Sequence, residues 1–504
     1  MNFFLSFLFF YSADNFFELS LFLILMPAAM GIISFFVPTN TQRRKILFMG
    51  AFFHFLLTMI ILLPFMSENK YPAIAQQTLL LSSFSCNTEN AVFLAISSAL
   101  FLGACIYSLR YLQLEERNIR KDEEGFILND EPEALFTAFM LFFLSAMTLV
   151  CLSSHMGLLW AAVEATTLFS APLIYFHRSR KSLEATWKYL VVCSVGIAIA
   201  LLGTFFLSLS ASNSGGSLYL SDLLTSGTFN TLWLKLAFVF LFVGYGTKMG
   251  LAPLHTWLPD AHSEAPSVVS ALLSGALLNC AFLGIWKSHS ILASAGLGNF
   301  SSSIMTAFGL FTVLISAVFI LNQREYKRAL AYSSVENMGL MSLLLGISGA
   351  SGIRSVDKLI FINAAGHSLI KAGMFFAAGM ILFYYKTKKV SEVGEMAEKT
   401  PFTAFFWFLG FILLAGAPPS PLFFPKFFIF KAFLMSGNYL LSFLMFFLFT
   451  VIFAGFARMF LSMVFAQAGT NVEIKEEKIM LLPSGLFFFA GTVLFFLFFY
   501  FSRG

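Results

Sequence analysis

Apolar runs long enough to cross a bilayer follow one another along almost the whole chain. A hydrocarbon layer of about 30 Å needs about 20 helical residues, and about 14 such runs can be placed. They cover residues 17–38, 46–66, 91–112, 134–153, 156–177, 186–210, 231–258, 267–287, 302–322, 326–348, 357–385, 401–435, 438–466 and 482–502, numbered here as spans 1 to 14. Lipid offers a backbone no hydrogen-bond partners, so each run is expected to be a helix. Two are punctuated. Gly244, Gly246, Gly250 and Pro253 interrupt span 7, and Gly416, Pro418, Pro419, Pro421 and Pro425 interrupt span 12, so both are expected to be discontinuous at membrane depth. Residues 3–11 are apolar but short, with no basic leader and no small-residue cleavage site behind them, and read as an interfacial start, not a signal peptide.

Composition agrees with the pattern: 58% apolar residues, 67 Phe, 11% charged residues and a mean hydropathy of +0.83 exclude a soluble globular protein. An all-α polytopic membrane protein is expected. Its net charge of +5 is a topology signal and gives no reason to expect a nucleic-acid partner. Lys and Arg cluster in alternate loops: Arg43, Arg44 and Lys45 after span 1, Arg117, Arg120 and Lys121 after span 3, Arg178, Arg180 and Lys181 after span 5, Arg324, Lys327 and Arg328 after span 9, and Lys386, Lys388 and Lys389 after span 11. The positive-inside rule then puts the odd loops in the cytoplasm and both termini outside, in a bacterial inner (plasma) membrane. Cys86, Cys105, Cys151, Cys193 and Cys280 are scattered and make no metal or redox motif. Without a phosphate loop or nucleotide fingerprint, the chain is expected to hold no cofactor and no catalytic redox site. Its driving force must come from a gradient or a partner.

Ionisable residues inside the spans are few: Glu164, Glu184, Lys188, Lys248, Glu336, His367, Lys371, Lys426, Lys431 and Arg458. Each is costly in lipid, so all are expected to face the bundle interior and to mark an ion path. Glu164, beside Thr166 and Thr167, has the plainer reading of a carboxyl capping a neighbouring helix. Lys248 is its natural partner, since a buried amine and a carboxylate govern each other's protonation. The stretch from Lys248 to Pro266 is polar and proline-punctuated. Its plainer reading is an interfacial loop with Asp260 or Ser263 as caps and Trp257 in an aromatic belt, and its best proton carrier near neutral pH is His255. His367 and Lys371 lie four residues apart on one helical face.

The halves align. Spans 4–8 (134–290) and 9–13 (300–466) match as two units, with 1–133 and 467–504 outside them. The alignment sets Glu164 against Glu336, Lys188 against Lys371 and Lys248 against Lys426. Units with an odd number of spans must be inverted relative to one another, and broken helices in corresponding halves mark midplane sites.

The run Lys248-Met-Gly-Leu-Ala-Pro-Leu-His-Thr-Trp-Leu-Pro-Asp-Ala-His262-Ser-Glu-Ala-Pro266, together with Lys327-Arg-Ala-Leu-Ala-Tyr-Ser-Ser334 and His367-Ser-Leu-Ile-Lys371, resembles the antiporter-like proton-translocating subunits of respiratory complex I, Mrp cation/proton antiporters and membrane-bound hydrogenases. The likeness covers roughly residues 90–465. Glu164-Ala-Thr-Thr-Leu168, Ser334-Val-Glu336-Asn-Met-Gly339 and the run Ser270 to Cys280 are most similar to component F of hydrogenase-4.

The resemblance implies a hydrated polar axis at midplane, with protons, or sodium ions in the Mrp branch, moving past Glu164, Lys248, His255, Asn279, Glu336, His367, Lys371 and Lys426. Glu184, Lys188, Asp260 and Lys287 are expected to support that axis. Where complex I subunits carry a lysine in span 8, this chain has Asn279, so the bridge between the halves would use Asn279 with water, or Lys287 snorkelling from the helix end. A second departure is that the chain ends after span 14 without a long lateral helix, so lateral coupling would come from neighbouring membrane subunits. Val472 to Lys478 reads as a solvated charged loop. Partner subunits are expected to carry iron–sulfur clusters and a nickel–iron centre. The alternatives are a Mrp-type Na⁺/H⁺ antiporter subunit, or the proton-driven membrane partner or anchor of a soluble zinc enzyme of inorganic-carbon uptake.

Overall fold

The computed structural model describes residues 13–66, 83–116, 120–121, 127–128, 130–212, 215–225, 228–351, 355–467 and 476–501. The apolar segment 3–11 lies outside the described residues. All fourteen expected spans are helical. Thirteen contain helices long and apolar enough to cross a membrane, from Phe16–Phe36 to Lys478–Tyr500. The fourteenth, span 12, consists of two shorter helices, Pro401–Ala415 and Phe423–Met435. Span 7 is broken as well, into Thr231–Met249 and the short helix Trp257–Glu264. Between spans 3 and 4, residues Arg120–Lys121 and Ile127–Leu128 form a small antiparallel pair.

Both breaks are made in the same way. Gly250 and Gly416 adopt left-handed conformations (φ 86° and 83°) at the ends of the first half-helices. In span 7 the Gly250 amide donates to the Thr247 carbonyl and that of Leu251 to Gly246. In span 12 the Gly416 amide donates to Leu413 and that of Ala417 to Ile412. Each is a Schellman closure, which needs a residue free of Cβ clash at positive φ and leaves the chain unable to continue as helix. Prolines follow in both loops, and the bonds Ala252–Pro253 and Pro418–Pro419 are cis.

Spans 4, 8, 10 and 11 form the interior, and span 8 is enclosed along its whole apolar stretch. Small residues allow close approach: a Cβ on Gly244 in span 7 would stand 2.6 Å from Ala200 of span 6, and one on Gly309 in span 9 would stand 2.8 Å from the Gly339 carbonyl of span 10. The polar ends sort by parity. At the end formed by the odd loops Arg44 pairs with Glu133 and Glu116, Arg178 with Glu131, Lys388 with Glu264, and Asp260 with both Lys188 and Arg328. At the other end Phe84 bridges to Ser153 and His155 to Tyr219.

Several expectations change here. Lys431 and Arg458 are exposed, not interior. Glu184 and Lys188 are exposed too, with side chains 64% and 48% accessible, and form an ion pair at the odd-loop end. Span 6 begins at Arg180, so both residues sit in its first turns, near solvent. Asp260 caps nothing and holds Lys188 and Arg328 instead. Trp257 lies outside any interfacial belt: it is buried, and its Nε1 donates to the Thr247 carbonyl at 2.9 Å. The described end of the 472–478 segment is not simply solvated. The Glu476 carboxylate accepts the Phe402 and Thr403 amides and the Thr403 hydroxyl, capping the first half of span 12, while Glu477 pairs with Arg110.

Candidate functional site

Lys248 occupies the last turn of the first half of span 7, where the negative end of the helix dipole favours a cation. Its side chain is fully buried, and Nζ donates to the Tyr189 hydroxyl at 2.5 Å and to Thr167 Oγ1 at 2.8 Å. Thr167 Oγ1 in turn donates to Glu164 Oε2 at 3.2 Å, and Ser194 Oγ donates to Oε1 at 2.9 Å. Glu164 and Lys248 are therefore partners through a hydroxyl and not by direct contact. The reason is helical spacing: Glu164 and Thr167 are three residues apart on span 5, about 4.5 Å along the axis, and Thr167 stands nearer the lysine. A hydroxyl both donates and accepts, so this arrangement can relay a proton. Tyr189 OH continues it to Ser170 Oγ at 2.6 Å. Glu164 is only half-buried, which makes it the exposed end of this group.

Between the halves lie His262, Asn279 and Ser368. His262, on the short helix of span 7, is fully buried, with Nδ1 at 3.0 Å from the Leu258 carbonyl and no partner for Nε2 among the described residues. Lys371 and Lys327 are within its electrostatic reach. In the sequence His262 falls within the motif after Lys248, where its signal is a titratable residue beside the break. Asn279 Nδ2 donates to Ser368 Oγ at 2.9 Å and to the Gly275 carbonyl at 2.8 Å. Span 8 widens to a π-helical turn over Leu273–Leu277, where a Cβ on Gly275 would stand 2.8 Å from Leu100 and 3.2 Å from the Ser368 carbonyl. Asn279 thus touches span 11 one residue from His367. Lys287 is not available to this junction: it is buried at the other end of span 8, donating to the Ser153 carbonyl at 2.5 Å. His255 is buried against Phe319 and Tyr332, with Nδ1 unpartnered among the described residues.

In the second half His367 is fully buried, and neither ring nitrogen has a hydrogen-bond partner among the described residues. Lys371, Lys426 and His262 all act on it electrostatically. Lys371, one turn after the histidine, donates from Nζ to Ser333 Oγ at 2.8 Å and to the Leu330 carbonyl. Lys426 faces inward, forming an ion pair with Glu336 at 2.9 Å, their side chains 13% and 4% accessible, and donating to the Ala415 carbonyl at 3.3 Å where the first half of span 12 ends. A buried Asn363–Asn337 hydrogen bond of 3.0 Å adjoins Glu336 and was not anticipated. The aligned lysines differ in surroundings, since Lys371 is buried and Lys188 is at the surface. Among the described residues no group of three or more His, Cys, Asp or Glu is placed to hold a metal.

A helical membrane bundle with two broken spans and a buried row of lysines, histidines and carboxylates has the architecture of an antiporter-like transport subunit. Residues 153–454, more than half of the chain, match the membrane family described as NADH:quinone oxidoreductase/Mrp antiporter, and the chain belongs to that family. It is 33% identical over 353 residues to a hydrogenase-4 component F homolog of Methylacidiphilum infernorum, covering 69% of this chain and 71% of that protein. It is 26% identical over 339 residues to hydrogenase-4 component B of Escherichia coli, covering 66% of this chain and 48% of that longer relative.

Among solved structures, the fold is shared with a chain of the archaeal membrane-bound sulfane sulfur reductase (TM-score 0.80, 18% identity, 95% of this chain and 94% of that one). It is also shared with a chain of the Mrp complex from Dietzia sp. DQ12-45-1b (TM-score 0.77, 16% identity, 95% and 94%) and one of respiratory complex I from Thermus thermophilus (TM-score 0.73, 20% identity, 95% and 97%).

Proposed function

We propose that this chain is the proton-translocating membrane subunit of a redox-driven complex of the hydrogenase-4, formate hydrogenlyase or NADH dehydrogenase type. The observation that carries the reading is the setting of Lys248: a fully buried amine held by two hydroxyls, with its nearest carboxylate, Glu164, one hydroxyl away. A buried ammonium without a direct counter-ion is charged only at substantial cost, so its proton is conditional on what happens at Glu164. Glu164 is only half-buried, which would let a neighbouring subunit act on it. A change there alters Lys248, and the proton passes by way of His262, Asn279 and Ser368 to the group of Lys371, His367 and the Lys426–Glu336 pair.

Both ring nitrogens of His367, Nε2 of His262 and the Asn279 carbonyl oxygen, all unpartnered among the described residues, would lie on this route. Buried polar atoms of this kind normally bind water, which would complete it. The two Schellman breaks and the Glu–Lys pairings in each half favour inverted units over 134–290 and 300–466. The grouping of odd loops at one end, with their Lys and Arg, favours a cytoplasmic position for that end and an external one for both termini, in a bacterial inner membrane. Redox chemistry, on iron–sulfur clusters and a nickel–iron centre, belongs to partner subunits.

Isolation of the complex from its native membrane, with mass spectrometry of the co-purifying proteins and proton-uptake assays in vesicles, tests the reading. Redox subunits should co-purify, and Lys248→Met and Glu164→Gln should abolish proton uptake while leaving the complex assembled. Small Mrp-like membrane partners with Na⁺-dependent flux, or a single large soluble zinc protein, would overturn it.

A further inference from the structure

Away from the buried axis, a cavity of about 770 Å³ opens between the end of span 9, the loop joining spans 9 and 10, the turn after span 11, and span 13. Arg324, Lys389 and Arg458 line it, against the single carboxylate of Glu325. Part of this charge is already engaged: Lys389 pairs with Glu392 at 2.8 Å, and Ser263 donates to Glu325 at 3.0 Å. The guanidinium groups of Arg324 and Arg458 have no partner among the described residues and are exposed. Gly455 lines the cavity and lets span 13 approach Ile320 of span 9, from which an added Cβ would stand 2.9 Å.

Arg458 is out of place by the rules of its own helix. Span 13 buries one face, including Ile452, Phe456, Met459 and Met463, and exposes Phe453, Leu461 and Phe465 on the other. Arg458 stands on the exposed, otherwise apolar face, seven residues before the helix ends at Phe465, a distance of about 10 Å. From there a long arginine side chain reaches toward the membrane surface, where lipid phosphates lie. Span 9, the other wall, exposes Leu314, Val318 and Leu321. A free guanidinium between two lipid-facing apolar surfaces needs an anion that arrives with apolar chains attached.

We propose that this cavity binds the phosphate of an anionic phospholipid, with Arg324 and Arg458 as its two guanidinium clamps and the acyl chains lying along spans 9 and 13. Guanidinium forks match phosphate oxygens in paired hydrogen bonds, and basic pockets between membrane helices suit anionic headgroups. The site is separate from the buried axis and stands whether or not the chain moves protons.

The test uses the intact complex in nanodiscs of phosphatidylcholine with graded phosphatidylglycerol, counting retained phosphatidylglycerol by native mass spectrometry. Wild type should retain it, and the double variant Arg324→Gln/Arg458→Gln should bind it at least about tenfold more weakly. Arg458→Lys should fall between the two, and Lys431→Gln, at an exposed lysine elsewhere, should match wild type. Orthophosphate at matched concentration should not displace the lipid; if it does, the site is one for free phosphate and the lipid reading fails. Unchanged retention by the double variant, or loss of a protein subunit with lipid retention unchanged, would also overturn the proposal.

Discussion

Lys248 meets no carboxylate at ion-pair distance among the described residues, whereas Lys426 sits directly on Glu336. The same two residue types therefore have different physics in the two halves. In the first, Thr167 is the one hydroxyl among the described residues that links the amine to Glu164. Thr167→Val preserves the shape of the side chain and removes the relay, and should slow proton uptake by about 10²-fold, the scale of losing one positioned proton-transfer group, while Thr167→Ser keeps most of it. Proton uptake in vesicles at equal complex content decides between these outcomes. In the second half, Lys426→Met leaves Glu336 buried beside an apolar neighbour and should lower stability by about 3 kcal/mol, with much of that recovered in the Lys426→Met/Glu336→Gln double variant. Thermal unfolding in detergent reads both. Glu164, Lys248, Glu336 and Lys426 could be picked out in the sequence as costly groups in apolar runs. Which of them would touch could not, because contact depends on how each helix is rotated.

At the level of the helix, the breaks were legible because Gly at a helix end, with Pro after it, is a local signal with a local cause. The π-turn of span 8 was not, since nothing in Leu273-Ser-Gly-Ala-Leu277 departs from an ordinary apolar helix; the close approach of Leu100 and Ser368 accompanies it. The start of span 5 carries a pH-sensitive cap. His155 Nδ1 accepts the Leu158 amide at 3.3 Å, which only a ring unprotonated at that nitrogen can do, and burial holds its pKa below the ordinary value of 6.5. The unfolded chain then binds the proton more readily than the folded one, so the contribution of this residue is complete above about pH 6.5 and is lost as pH falls below it. The drop in melting temperature between about pH 7.5 and pH 5 should be smaller in His155→Asn, whose side-chain oxygen can cap at both pH values.

Over the whole molecule, the odd-loop end is tied together by charge. Asp260 joins span 6 through Lys188 to span 10 through Arg328, linking the two halves across the short helix of span 7. These side chains are 18%, 48% and 37% accessible, so each pair is worth no more than about 1 kcal/mol. Asp260→Asn should therefore shift the melting temperature by only a few degrees, about 4 °C at most, yet raise amide hydrogen exchange in residues 257–264, whose anchor it removes. A global collapse of stability would show that the junction is more than a surface tie.

Hydropathy, helix breaks, the inventory of costly charges and the alternation of basic loops are properties of one stretch of chain at a time, and in lipid each stretch must satisfy its own backbone. Span number, the two breaks, the class of protein and the buried Lys248, Glu336, His367 and Lys371 followed from them. Partnership did not. The Thr167 bridge between Lys248 and Glu164, the inward turn of Lys426, the surface position of Glu184 and Lys188, the distant Lys287, the burial of His262 and the cap supplied by Glu476 all depend on residues far apart in the chain meeting at one depth and one helix rotation. Those are set by packing among fourteen spans, a three-dimensional fit with no counterpart in any single segment.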